Sequence, residues 1–166
     1  MRACRPDRLR QRFPLIRPGA EKPVKKAAKK KAAPKPLPPL PASTLTDDTL
    51  TIVLRIPPYE ISPNGRGHWR TIAKHKKAAK KTANLVTLGA IGTARPQPVG
   101  YSLAYYWPST HRDDDNAIGS CKAILDGICA ALGMDDKHLR FHALHHHADR
   151  SCPRVEIIMH LTAPTP

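Results

Sequence analysis

Three consecutive aspartates (Asp113, Asp114 and Asp115) and a later acidic pair (Asp135 and Asp136) bracket a stretch of helical periodicity. Carboxylates this close repel one another unless a cation sits between them. Oxygen-only ligand sets favour hard ions such as Mg2+ or Mn2+ over zinc. The alternative reading of an acidic triplet is a solvated turn and helix cap. Charge placement argues against it, because a chain of formal net charge +15 gathers six of its 13 Asp and Glu around this one helix, counting Asp126.

The element that must position these groups is the helix itself. Ile118, Cys121, Ile124, Leu125, Ile128, Cys129 and Leu132 recur three and four residues apart, as one buried face requires. Asp115 or Asn116 can cap its start, and Gly133 is a stop signal. At about 100° per residue, Asp115, Lys122 and Asp126 fall nearly in line beside the apolar stripe. If Tyr101 to Trp107 is a strand that continues extended into the triplet, Asp113 and Asp115 face one side and Asp114 the other.

The rest of the chain divides into a tail and one domain. Up to Leu45 there are thirteen Lys and Arg against two acids, and nine of the 18 prolines lie in the first 44 residues. Such a segment buries too little apolar area to offset its conformational entropy, so residues 1–45 are expected to be a disordered basic tail. Lysine-rich tails of this kind bind nucleic acid nonspecifically through counterion release. Residues 46–166 are expected to form the domain. Strands are predicted at 49–56, 99–107, 139–147 and 154–161, and helices at 69–88 and over the central stretch. The order is β-α-β-α-β-β, which predicts a two-layer α/β domain with a mixed sheet ending in a hairpin.

Between Trp69 and Leu88 the helical pattern carries Arg70, Lys74, Lys76, Lys77, Lys80 and Lys81 with no acid among them. A merely solvated face would usually pair such residues with acids four positions away, so this one is read as facing phosphate. The histidines at 142, 145, 146 and 147 match no common zinc spacing. Strand alternation puts His145 and His147 on one face, and His142 and His146 on the other. Four cysteines make no regular disulfide framework, which suits a reducing cytoplasm. No apolar run approaches the roughly 18 residues of a membrane span.

Taken together, the segments RDDDN (Arg112–Asn116), KAILDG (Lys122–Gly127) and MDD (Met134–Asp136), with IPPYEISPNGRGHWR upstream, resemble the RusA family of Holliday-junction resolvases. The similarity covers about Leu50 to Thr162. By position, Asp113, Asp115 and Asp136 match the acids that hold divalent metal in that family, Lys122 the motif lysine, and Asp126 a supporting residue. Two departures stand out. Lys122 lies about one helical turn further from Asn116 than in the family motif, and the middle residue, Asp114, is an additional acid.

The resemblance implies a Mg2+-dependent (or Mn2+-dependent) endonuclease that resolves four-way DNA junctions as a homodimer. Asn64, Arg66, Arg70, Lys74, Lys76, Lys77, Lys80, Lys81 and Arg112 would contact the DNA. Lys122 would stabilise negative charge developing on the phosphate or leaving oxygen. Two alternatives stay open: a non-catalytic basic DNA-binding protein, and a metal nuclease acting on other branched DNA.

Overall fold

The computed structural model describes residues 37–109 and 113–161. Arg112 and nearly all of the basic tail therefore lie outside the described residues. Five strands form one mixed sheet: β1 (Thr44–Leu45), β2 (Thr49–Leu54), β3 (Gly100–Trp107), β4 (Arg140–Ala148) and β5 (Arg154–His160). Two helices, α1 (Trp69–Ile91) and α2 (Asp114–Leu132), follow β2 and β3. The expected α/β class and the alternation of elements are present, with the short β1 added at the front.

The sheet begins before residue 46. Thr44 and Leu45 pair antiparallel with Thr51 and Leu50. The Val53 N–H donates to Ser43 Oγ at 3.0 Å, and the Arg55 guanidinium donates to the Pro38 carbonyl. Backbone partners on β2 hold this segment where composition alone predicted tail.

The sheet order is β1-β2-β5-β3-β4. The expected terminal hairpin does not form. Instead β5 lies between β2 and β3, antiparallel to both, while β4 runs parallel to β3 on the far edge. The connection is tied over the end of β3, with the Asp149 N–H on the Trp107 carbonyl at 2.7 Å and Arg150 Nε on that of Pro108 at 3.2 Å. The physical reason is burial. Val155, Ile157 and Met159 of β5 are fully buried, whereas most of β4 is exposed, so the apolar strand takes the centre and the histidine-rich strand the edge.

Leu50, Ile52, Leu103, Tyr105, Val155, Ile157 and Met159 from the sheet share one core with Ala83, Cys121, Ile124, Ile128 and Leu132 from the helices. Of the predicted stripe on α2, Cys121, Ile124, Leu125, Ile128, Cys129 and Leu132 are buried, and Ile118 is partly buried. Burial pushes the Cys121 thiol up to about 12 and is the main cause that raises Cys129 to about 11, so both are packing groups and not nucleophiles. Gly133, at φ 71°, ends the helix in the left-handed conformation. Among the described residues no helix is long and apolar enough to cross a membrane.

Candidate nucleic-acid interface and acidic ends of α2

The cap of α2 is Asp113, two or three residues earlier than predicted. Its Oδ1 accepts the Asp115 N–H at 3.1 Å and its Oδ2 accepts Asn116 Nδ2 at 2.7 Å. Asp114 and Asp115 are already helical. The extended continuation that would have alternated the three acids is therefore absent. A side chain that caps the helix satisfies N–H groups that otherwise lack partners.

Several ties fix this end of α2. The fully buried Tyr105 hydroxyl donates to the Ala117 carbonyl at 2.8 Å and meets Ser120 Oγ at 2.9 Å. From the β2–α1 loop, Ser62 Oγ donates to Asn116 Oδ1 at 3.2 Å, and Pro63 rests on Gly119. The same loop carries Asn64 and Arg66, both exposed, and so presents them near the acidic end. Trp69 and Tyr59 are also exposed here, at 67% and 64%, with Arg70 over the Trp69 ring.

Asp136 stands at the other end. The 19 residues of α2 span about 28 Å at about 1.5 Å per residue, and the turn after Gly133 sets Asp136 alongside the second half of the helix, with Asp126, Cys129 and Ala130. There it pairs with Lys122, Nζ to Oδ2 at 3.8 Å, while Asp135 pairs with Lys137 at 3.0 Å. Asp113, Asp115 and Asp136 of one chain therefore do not converge. Among the described residues, no three His, Cys, Asp or Glu side chains are grouped to hold a metal ion. The expected three-aspartate site does not form within a single copy, because Asp113 and Asp115 sit at the start of α2 while Asp136 pairs with Lys122 beside Asp126.

Between the two acidic ends runs a trough. Ile56, Pro58, Ser62, Asp113, Asn116 and Ser120 line its first section. Ser120 leads into a second, walled by Lys76, Lys77 and Lys80 of α1 and by Lys122 and Asp126 of α2. Lys80 and Asp126 then open onto a third, with Met134, Asp135 and Asp136. Arg70, Lys74 and Lys81 are exposed on α1 but do not line this trough. Of the predicted phosphate contacts, the structure brings three together with Lys122 and leaves three on another arc of α1.

His145 and His147 share one face and His146 takes the other, as strand alternation predicted, but His142 departs from it. Tyr101 pairs with Phe141, but Ser102 pairs with Ala143, so His142 is bulged out of register. Beyond a one-residue bulge the pattern of faces inverts. His142 thus joins the face away from the helices and stacks on His160 at 4.9 Å. His147 stacks on Tyr106 at 4.7 Å on that same face. His146 alone turns towards α2. Its Nδ1 accepts Trp107 Nε1–H at 2.8 Å and its Nε2 meets Asp114 Oδ1 at 2.9 Å. Sequence reasoning missed this contact, since only the bulge and the β3–β4 pairing bring residue 146 beside residue 114.

No protein-family model matches the sequence. An uncharacterized protein of Xylella fastidiosa (strain Temecula1) is 33% identical over 99 residues, which cover 57% of this chain and 65% of that protein. The match therefore spans slightly less than two thirds of the relative's own length and brings no activity with it. The functional reading thus rests on the trough, its acidic ends and the resemblance carried by the motif residues.

Proposed function

We propose that this chain is a metal-dependent endonuclease that cleaves four-way DNA junctions as a homodimer, in the manner of the RusA family it resembles. The observation that carries the reading is the trough along α2, with lysines at its centre and carboxylates at both ends. Lys76, Lys77 and Lys80 supply the charge that draws a phosphate backbone into an otherwise acidic site. Asp113 and Asp115 at one end, and Asp136 at the other, are the groups that would hold Mg2+. When bound, that ion polarises a phosphoryl oxygen and activates water.

With Asp136 on Lys122 and apart from Asp113 and Asp115 in one copy, this reading requires a dimer. The motif acids of one copy can share an ion only with those of a second. The edge strand β4 suggests how. Asp136 lies just before β4, and His146 near its far end touches Asp114. Two β4 edges paired antiparallel across a twofold axis would bring Asp136 of one copy to the Asp113–Asp115 end of the other. β4 is nine residues long, and apart from Arg140 and the bulge at His142 near its start it carries none of the lysines, prolines or acids that guard an edge.

The decisive experiment is subunit mixing. Asp115→Asn and Asp136→Asn proteins are each expected to bind junction DNA without cutting it in Mg2+. Mixed and allowed to exchange, they form heterodimers in which one composite site carries both lesions and the other is intact, so single-strand nicking returns. No nicking from the mixture, with both variants folded and exchanging, would reject a site shared between copies. Parallel assays on junction, flap and duplex DNA, with and without Mg2+, test the substrate.

A non-catalytic DNA-binding reading also draws on one observation, the lack of a three-carboxylate cluster within a single copy. It predicts binding that the aspartate substitutions leave intact and no Mg2+-dependent cleavage of any DNA by the parent protein.

A further inference from the structure

Trp107 and Asp114 together define the state of His146. Indole Nε1–H is a donor only, so its 2.8 Å contact makes His146 Nδ1 the acceptor. A neutral imidazole has one N–H, which is then on Nε2 and points at Asp114 Oδ1, 2.9 Å away. Ring stacking adds to the restraint, because the His146 centroid lies 6.2 Å from those of both Tyr105 and Trp107. The Tyr105 and Trp107 rings are themselves stacked at 4.5 Å. Asp114 is the first residue of α2, between the capping Asp113 and the exposed Asp115.

We propose that His146 is a positioning residue: held in its Nε2–H tautomer by Trp107, it binds Asp114 and so orients the helix turn that presents Asp113 and Asp115. The inference rests on the nuclease reading and deepens it. It also gives the additional acid a role. Asp114 is engaged by the protein and serves as an anchor, not as a metal ligand. Neighbours that orient ligand-bearing groups typically contribute about 10–100-fold in metal affinity or activity.

The test combines a spectroscopic readout with substitutions. Imidazole 15N–1H NMR of the full chain at neutral pH is expected to show His146 as the Nε2–H tautomer. His146→Phe keeps the stacked ring but loses both hydrogen bonds. It should raise the Mg2+ concentration giving half-maximal cleavage about 10–100-fold, while junction binding without Mg2+ stays at the parent level. His146→Gln offers an acceptor and a donor on one planar group and should recover most of that loss. Asp114→Asn, which still accepts from Nε2–H, should retain cleavage that Asp115→Asn abolishes.

The inference is overturned by an Nδ1–H tautomer, by a parent-like Mg2+ requirement in His146→Phe, or by equal loss in Asp114→Asn and Asp115→Asn. A parent protein that cleaves no DNA would instead reject the nuclease reading itself. Cleavage by the parent but not by Asp115→Asn, with His146→Phe unchanged, rejects only the positioning role.

Discussion

Converting Lys76, Lys77 and Lys80 together to Gln isolates the electrostatic role of the trough. All three are exposed, and Gln preserves much of their length and helix propensity, so the fold should hold. If each lysine neutralises one phosphate, the slope of log affinity against log salt should become shallower by about 0.9 per contact, roughly 2.7 in all. With the two proteins converging near 1 M salt, that difference weakens binding about 500-fold at 0.1 M. Fluorescence anisotropy of a labelled four-way junction in EDTA, from 50 to 400 mM salt, reads the slope directly without cleavage. A matched triple change at Arg70, Lys74 and Lys81 is the control, because those residues lie outside the trough. An unchanged slope in the trough variant, or an equal change in the control, would refute the assignment of this groove to phosphate.

Two further expectations concern the framework. A Cβ at Gly127 would clash with the Lys80 carbonyl and stand 2.9 Å from Ala83 Cβ, so Gly127→Ala should force α1 and α2 apart and cost about 1–3 kcal/mol; a thermal midpoint equal to the parent's would contradict this close packing. Asp149 is held far below the usual carboxylate range by the Ser151 hydroxyl, the Cys152 N–H and Arg154. Its folded pKa is below its unfolded value, so the unfolded chain binds more protons and stability rises with pH. The contribution is complete above the unfolded carboxylate pKa of about 4 and is lost as pH falls through the depressed folded value. Urea midpoints of parent and Asp149→Asn should therefore differ at pH 6 and converge towards pH 2, and a gap independent of pH would show that the carboxylate's charge is not what ties this loop.

Much of the framework was legible in the residues. The apolar spacing from Ile118 to Leu132 and the stop at Gly133 define α2 because helical periodicity is a property of near neighbours in the chain. The same holds for the strand–helix alternation and for the unrelieved basic character of α1. Asp113 rather than Asp115 or Asn116 became the cap. The helix starts at Asp114, and where it starts depends on tertiary geometry.

What the tertiary structure alone decided is which distant residues meet. Strand periodicity says that 154–160 pairs with something. Only burial of Val155, Ile157 and Met159 against both helices sends β5 between β2 and β3 and leaves the histidine-rich strand at the edge. The one-residue bulge at His142 inverts the faces beyond it, and so gives Asp114 its partner in His146. The sequence determined that the carboxylates bracket one helix. The fold decided that they do not group within a single copy, because the turn after Gly133 sets Asp136 against Lys122 and not against the first turn of α2.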